Sequence, residues 1–274
     1  MSADSQRKKF TVPQLLLAKS SSRRLSMVTA YDATFASIID SGGVDLILVG
    51  DSVATVMQGE RNTLGVSMEH MEYHIQMVAS VRPLSLIVGD LPFGSYQASV
   101  ADAVNNSVRL IKAGAEMVKL EGGLHVADQI AAITNADIPV MGHIGLTPQS
   151  YHRMGGNKIQ GRTDGDRAGS KERLIEDALA VQESGACAIV IEGVPTELAK
   201  HITEQLSIPT IGIGAGPHCD GQVLVMHDLL GLSPRTFTFA KPYVQLREQA
   251  QLAVAQYVSE VQSGVWPDAD HSFS

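Results

Sequence analysis

Eight short apolar runs alternate with longer segments of helical periodicity along the chain. Most of these runs are almost continuously apolar, which is typical of parallel strands that are covered on both faces. Eight alternating strand and helix segments within about 250 residues predict a (β/α)8 TIM barrel. The predicted strands are Met27–Ala30, Asp45–Gly50, Leu84–Gly89, Ala115–Leu120, Ile138–Gly142, Ala186–Ile191, Ile208–Ile213 and Gln222–Met226.

The segments between the strands show the start and stop signals of helices. Asp32 and Ser170 are predicted N-caps, and Pro195 suits a first helical turn. The link Gly214–Gly221 is too short for a helix, whereas the long, glycine-rich link Gly142–Ser170 indicates an active-site loop. A doubly wound sheet is the alternative fold, but the turn after the first strand lacks its glycine-rich motif. The predicted helices are Asp32–Ser41, Met68–Val81, Val100–Ala113, Val126–Asn135, Ser170–Ser184, Pro195–Leu206 and Tyr243–Val261.

The composition is that of an ordinary globular protein. Of the 274 residues, 44% are hydrophobic and 18% are charged, which excludes a disordered or fibrous chain. No linker-like shift in composition divides the chain, so we predict a single barrel domain over residues 1–274. Within it, a helix around Val12–Lys19 is expected to plug the bottom of the barrel, and residues 1–10 are expected to form a flexible tail.

Charge and cysteine content exclude several classes of partner. The net charge of −8 argues against binding to nucleic acid or to an anionic membrane. No apolar stretch reaches the roughly 18 residues of a membrane span, and Met1–Phe10 lacks the apolar core of a signal peptide. Two cysteines, Cys187 and Cys219, are too few for a disulfide framework. We therefore expect a cytoplasmic protein.

Polar residues follow the apolar runs at the ends of successive strands, where TIM barrels carry their active sites. Because side chains alternate between faces along a strand, Lys119 and Glu121 share one face. If that face is the barrel interior, both side chains point into one pocket. The candidate site residues are Asp51, Ser52, Asp90, Lys119, Glu121, His143 and Glu192.

Asp51, Asp90 and Glu121 come from three neighbouring strands and are expected to converge. Like charges at short range repel unless a proton or a cation lies between them. Oxygen ligands without clustered cysteines favour a hard cation, Mg²⁺ first and Mn²⁺ second. The alternative for each carboxylate alone is a helix N-cap or a salt bridge at a strand end.

The remaining candidates each allow more than one role. Lys119 could form an ion pair with Glu121, neutralise the carboxylates, or form a Schiff base with a carbonyl substrate. Glu192 emerges from an apolar strand and is a candidate general base, or else a carboxylate satisfied at the strand end. His143 could bind substrate, orient the base, or be a hydrogen-bonded core histidine.

Taken together, the motifs resemble one family, the ketopantoate hydroxymethyltransferases (3-methyl-2-oxobutanoate hydroxymethyltransferases). The resemblance runs in order from about residue 10 to the end of the chain, which makes it highly specific. It rests on Val28–Asp32, Leu48–Ser52, Asp90–Phe93, Ala113–Ala115, Val118–Gly123, Gly142–Ser150, Gln160–Gly161, Ile211–Gly216, Asp220–Asp228 and His271–Phe273.

This resemblance implies a TIM barrel that uses Mg²⁺ and forms a cytoplasmic homo-oligomer, typically a decamer. The implied substrates are 3-methyl-2-oxobutanoate and 5,10-methylenetetrahydrofolate, and the products are 2-dehydropantoate and tetrahydrofolate, at the start of pantothenate and coenzyme A synthesis. By position, the resemblance assigns the metal to Asp51, Asp90 and Glu121, the oxoacid to Asp51, Ser52, Asp90 and Lys119, and proton abstraction to Glu192.

Two other functions are considered. Phosphoenolpyruvate mutase and isocitrate-lyase-like enzymes share the barrel and an acidic metal site, but they usually place a reactive cysteine loop near it. No cysteine occurs between Gly142 and Ser170. A catalytically silent barrel that serves as a scaffold predicts loss of pocket residues, whereas Asp51, Asp90, Lys119, Glu121 and Glu192 are all present.

Overall fold

A computed structural model describes residues 7–21, 23–165 and 167–273. Contacts divide the chain into two compact units, Met1–Val225 and Met226–Ser274.

The first unit is a closed barrel of eight parallel strands, arranged in chain order. Each of the eight apolar runs in the sequence overlaps one strand, so the (β/α)8 prediction is confirmed. The strands are β1 Leu25–Thr29, β2 Leu46–Val49, β3 Leu86–Asp90, β4 Met117–Glu121, β5 Val140–Gly145, β6 Ala188–Glu192, β7 Thr210–Ile213 and β8 Gly221–Leu224.

Helices surround the strands, and both predicted N-caps are formed. Asp32 accepts a hydrogen bond from Phe35 N at 2.8 Å, and Ser170 accepts one from Arg173 N at 3.4 Å. Pro195 is itself the N-cap residue, so it precedes the first helical turn rather than standing in it. The helices of this unit are α1 Val12–Ala18, α2 Ala33–Ser41, α3 Val53–Val56, α4 Met68–Ser80, α5 Val100–Ala113, α6 Ala127–Asn135, α7 Tyr151–Met154, α8 Lys171–Glu183 and α9 Thr196–Gln205, with 3-10 turns at Leu124–Val126 and Pro148–Ser150.

The barrel interior is filled by every second residue of the strands. Inward-facing positions such as Leu86 and Val88 of β3 or Met117 of β4 form one buried hydrophobic cluster. Leu15 and Ala18 of α1 belong to the same cluster. That α1 closes the bottom of the barrel stays a prediction.

The segment before α1 is bonded to the barrel. Phe10 N donates to Leu84 O at 2.7 Å, and Lys9 Nζ donates to Glu116 Oε2 at 2.6 Å. Both acceptors lie just before a strand, at the amino end of the barrel. Residues 1–6 of the predicted flexible tail lie outside the described residues.

The second unit contains α10 Met226–Leu229, α11 Leu246–Ser263 and a 3-10 turn at Ala269–His271. The last predicted strand extended to Met226, which instead begins α10. None of the residues of α11 is buried, and Leu252 is 72% exposed. The ring of Tyr257 meets that of Trp266 edge-on, with centroids 6.5 Å apart. Among the described helices of the chain, none is long and apolar enough to cross a membrane.

Candidate active site

Five polar residues form the layer directly above the hydrophobic interior of the barrel. Asp90 continues the inward alternation of Leu86 and Val88, and Lys119 and Glu121 continue that of Met117. The strand register places Asp90 beside Lys119, and Glu121 beside His143. His143 in β5 and Glu192 at the end of β6 follow the same alternation. The sequence periodicity and the barrel register therefore bring these residues to one end of the interior.

Lys119 and Asp90 form a buried ion pair. Lys119 Nζ lies 2.7 Å from Asp90 Oδ1, and both side chains are at most 4% exposed. The amine therefore pairs with Asp90 and not with Glu121, the partner considered from the sequence. Burial acts to lower the pKa of Lys119, but the surrounding carboxylates, Asp90 first, outweigh it and raise the pKa. Lys119 is thus held in its charged form.

Asp51 stands just beyond β2 and contacts this pair from the side. Its backbone N–H donates to Asp90 Oδ2 at 3.2 Å. Burial, followed by repulsion from Asp90 and Glu121, raises the pKa of Asp51 well above its ordinary value. The pKa of Asp90 is also raised, chiefly by burial, despite the opposing charge of Lys119. The pocket therefore holds more negative charge than Lys119 offsets.

Gln149 connects Asp51 with Glu121, although strand alternation did not single it out. The Gln149 side chain donates to Asp51 Oδ2 at 3.0 Å, and its backbone N–H donates to Glu121 Oε2 at 2.9 Å. Tyr96 was missed as well: its hydroxyl accepts from Glu121 N at 3.1 Å and bonds Gln149 Oε1 at 2.7 Å. Gln149 stands in one of the stretches that carry the family resemblance, Gly142–Ser150, and this was the available signal.

His143 lies between two carboxylates, those of Glu121 and Glu192. Its Nδ1 is 3.4 Å from Glu121 Oε1, and its Nε2 is 3.2 Å from Glu192 Oε2. Neither contact meets the geometric criteria of a hydrogen bond, so both are ion-pair contacts in a buried setting. Burial and Lys119 act to lower the pKa of His143, but the two carboxylates outweigh them and raise it to about 9. The imidazole is therefore cationic at neutral pH.

The same imidazole lowers the pKa of Glu121. Burial alone would raise the pKa of Glu121, but His143, Lys119 and the Gln149 backbone N–H lower it. Glu121 is therefore ionised although it is 5% exposed. Ser52, at the edge of the pocket, bonds the Tyr31 hydroxyl at 2.8 Å.

The donor chemistry of the pocket suits a hard divalent cation. Glu121 Oε1 is buried and has no hydrogen-bond partner, and the carboxylates of Asp51 and Asp90 lie beside it in the same pocket. Over the residues that the structure describes, no group of three or more His, Cys, Asp or Glu side chains is already arranged as a metal cluster. The fit to Mg²⁺ therefore rests on the chemistry of the oxygen donors, since proteins usually hold Mg²⁺ through one or two carboxylates while water or substrate completes the shell.

The link after β5 starts later than the sequence suggested, because the strand continues to Gly145. It contains the 3-10 turn that carries Gln149 and the short helix α7. Beside it lies a cavity of about 100 Å³, lined by Thr147, Arg153 and Arg173 among others. That the whole Gly142–Ser170 link serves as an active-site loop stays a prediction.

The fold and the pocket together define a TIM-barrel enzyme with an acidic active site at the carboxyl ends of its strands. A family model described as ketopantoate hydroxymethyltransferase matches residues 9–269. The chain belongs to this family.

Individual relatives agree over almost the full length. The 3-methyl-2-oxobutanoate hydroxymethyltransferase of Pelobacter propionicus is 54% identical over 273 residues, 98% of each chain. That of Trichlorobacter lovleyi is 53% identical over 98% of this chain and 100% of its own. The prediction that the chain is a transferase of this type is confirmed.

Solved structures show the same fold at much lower identity. Phosphonopyruvate hydrolase in complex with oxalate and Mg²⁺ matches with a TM-score of 0.61 and 14% identity, over 95% of this chain and 93% of that one. At this identity the likeness to phosphonopyruvate hydrolase concerns the fold alone.

Proposed function

We propose that this chain transfers a hydroxymethyl group from 5,10-methylenetetrahydrofolate to 3-methyl-2-oxobutanoate, giving 2-dehydropantoate and tetrahydrofolate. The observation that carries the proposal is the pocket itself, where a buried Lys119–Asp90 pair stands among Asp51, Glu121, His143 and Glu192. The reactions named for the full-length relatives are consistent with it. The product would enter pantothenate and coenzyme A synthesis.

The reaction needs a base, and we assign this role to Glu192. It takes the proton from C3 of the oxoacid, and the electron pair of that C–H bond moves toward the keto oxygen to form an enolate. C3 then forms a bond to the methylene carbon of the folate. Overall, the two C–N bonds of that carbon are replaced by a C–C bond and a C–O bond from water, and the folate nitrogens receive the protons.

His143 supports this base as a positioning residue. Its cationic imidazole lies 3.2 Å from Glu192 and 3.4 Å from Glu121, so it holds the base on the side of the pocket that contains the other carboxylates. Glu192 is the most accessible member of the group, with 21% of its side chain exposed. A carboxylate that is oriented by a buried cation and still open to the pocket can reach a substrate C–H bond.

Lys119 acts through its charge in this proposal. A Schiff base requires a neutral amine, but the pKa of Lys119 is raised by its carboxylate neighbours and its Nζ is bonded to Asp90. The ammonium instead offsets the negative charge of the oxoacid and its enolate. Ser52, at the edge of the pocket, can donate to the substrate carboxylate.

Asp51, Asp90 and Glu121 would hold the divalent cation, Mg²⁺ first and Mn²⁺ second. When bound, such a cation stabilises the negative charge that forms on the keto oxygen. The raised pKa values of Asp51 and Asp90 support this assignment, because each indicates that the protein groups do not fully offset the negative charge of that carboxylate. Glu121 Oε1, which has no hydrogen-bond partner, offers a further oxygen ligand.

The test is deuterium exchange at C3 of 3-methyl-2-oxobutanoate, followed by NMR in the absence of folate. We expect exchange to require Mg²⁺ and to fall by about 100-fold or more in Glu192→Gln, the loss that removal of a general base typically causes. Glu204→Gln, on the exposed face of α9, is the control and should exchange normally. Exchange that survives both chelation and Glu192→Gln would disprove the metal and base assignments.

We also propose that the chain assembles with copies of itself, as a decamer. The support is that α11 leaves Leu252, Val254 and Tyr257 exposed in the single chain. Sedimentation of the purified chain tests this, and a monomer at micromolar concentration would contradict it.

A further inference from the structure

Gln149 joins two carboxylates that come from different strands. It stands on the link after β5, in the 3-10 turn Pro148–Ser150, and is 6% exposed. Its side chain reaches Asp51 beyond β2, and its backbone N–H reaches Glu121 at the end of β4. A single loop residue therefore engages one oxygen of each carboxylate.

The amide of Gln149 is fixed in one orientation, because all its donors and acceptors are used. The second Nε2 hydrogen goes to Leu91 O at 2.9 Å. Oε1 accepts from Gln97 Nε2 at 3.0 Å and lies 2.7 Å from the Tyr96 hydroxyl, whose single hydrogen it shares with the Glu121 carbonyl oxygen at 2.9 Å. Rotating the amide by half a turn would set its oxygen against the Asp51 carboxylate and its NH2 group against that of Gln97. The network thus ensures that a donor faces Asp51.

We infer that Gln149 is a positioning residue for the cation site. By donating to Asp51 Oδ2 and Glu121 Oε2, it engages one oxygen of each carboxylate and sets the direction in which the other oxygen faces. Glu121 Oε1, the oxygen that Gln149 does not engage, is the one without a hydrogen-bond partner. The inference rests on the proposed function, in which Asp51 and Glu121 hold the divalent cation.

This role predicts an effect on cation affinity that a general packing role does not. Residues that orient metal ligands through hydrogen bonds change metal affinity by about 10–100-fold when they are replaced. Because Gln149 touches the carboxylates and not the cation, a large excess of cation should restore function in a folded variant. Loss that excess cation cannot restore would indicate a damaged pocket.

The experiment is binding of Mn²⁺ to the purified chain without substrate, followed by electron paramagnetic resonance of the free ion. Gln149→Met keeps the length of the side chain and removes every hydrogen bond of the amide. Gln149→Glu keeps the acceptor for Tyr96 but sets an acceptor against Asp51. The matched control is Gln182→Met: Gln182 Oε1 accepts from Ser207 N, Ser207 Oγ and Ile208 N, at the opposite end of the barrel.

We expect the dissociation constant for Mn²⁺ to rise about 10–100-fold in both Gln149 variants and to change less than about twofold in Gln182→Met. High Mn²⁺ should restore C3 exchange in Gln149→Met. If Gln149→Met does not fold, Gln149→Glu decides, and failure of both to fold overturns the inference. An equal loss of affinity in Gln182→Met also overturns it.

The proposed function can fail separately. If the unaltered chain binds Mn²⁺ and the Gln149 variants bind it equally well, the inference fails and the proposed cation site stands. If the unaltered chain binds no Mn²⁺, the proposed cation site fails and the inference fails with it.

Discussion

At the scale of single residues, we expect loss of one partner of the Lys119–Asp90 pair to destabilise the fold more than other changes in the pocket. Both groups are buried, so removing one leaves the other charge without a partner. We expect Lys119→Met to lower the free energy of unfolding by about 3–5 kcal/mol in the presence of a chelator. The double variant Lys119→Met with Asp90→Asn should recover part of that loss.

Urea unfolding measures this difference, and an exposed ion pair supplies the control. Lys171 pairs with Asp164 at 2.8 Å, with side chains 46% and 76% exposed. Lys171→Met should leave the urea midpoint almost unchanged, since water screens such a pair. Equal midpoints for Lys119→Met and Lys171→Met would show that burial does not strengthen the pocket pair.

Gly145 controls the position of the proposed base through the main chain. Its φ is +92°, and a Cβ built there would lie 2.2 Å from the Glu192 carbonyl oxygen. That carbonyl also accepts from Leu146 N at 2.8 Å. Gly145→Ala must therefore displace the end of β6, and we expect C3 exchange to fall by about tenfold or more, because small misplacements of a reacting group are costly. A crystal structure of the variant with β6 unmoved, or an unchanged exchange rate, would contradict this.

Most of the pocket could be predicted at this scale because its residues obey strand alternation. Asp90, Lys119 and Glu121 all occupy inward positions that the apolar run defines. Gln149 could not be found in this way, since it follows a strand in an irregular link and reaches the pocket only through the path of that link. The alternation of side chains along a strand does not predict the course of the backbone in the link that follows it.

At the scale of elements, the contact of α2 with β3 depends on one carboxylate. Asp40, in the last turn of α2, accepts from Ser85 N at 2.8 Å and Ser85 Oγ at 2.7 Å and pairs with Arg7 at 3.0 Å. Burial acts to raise the pKa of Asp40, but these hydrogen bonds and Arg7 outweigh it and lower the pKa below its ordinary 3.8. The ionised form therefore stabilises the folded chain.

The sign of the pH dependence follows from this shift. Because the pKa is lower in the folded state, the stabilisation is complete above the unfolded value near 3.8 and is lost as pH falls through the folded value. Asp40→Asn should cost about 1.5–3 kcal/mol at pH 7, the range for hydrogen bonds to a charged group. The difference between the unaltered chain and Asp40→Asn, measured by urea unfolding, should shrink below pH 4. If the difference in unfolding free energy persists unchanged at low pH, the packing of the Asp40 side chain and not its charge stabilises the fold.

The strands were predictable in number and order, but their ends were not, and the short helices α3, α7 and α10 were not predicted. Five strands begin two residues later than the apolar run, as Leu86 does relative to Leu84. The residues just before such strands are partly or fully buried, and some still bond the neighbouring strand, as Glu116 N does to Ile87 O at 2.8 Å. Conversely, the ladders of β3, β4 and β6 include Asp90, Glu121 and Glu192, because backbone pairing does not depend on side-chain polarity.

At the scale of the whole molecule, the pocket is assembled from distant parts of the chain. Its residues extend from Asp51, after β2, to Glu192, at the end of β6. Every contact between them joins residues on different strands or on the link after β5. The helices, by contrast, are built from neighbouring residues and can form early.

The strand register that sets Asp90 beside Lys119 is therefore required for activity, so the return of enzyme activity during refolding reports when that register has formed. A slip of one residue in any of these strands turns its polar group out of the interior, so no partly paired barrel can be active. After dilution from urea, C3 exchange activity should return later than the far-ultraviolet circular dichroism of the helices. Simultaneous recovery of both signals would mean that the strands find their register in the same step as the helices form.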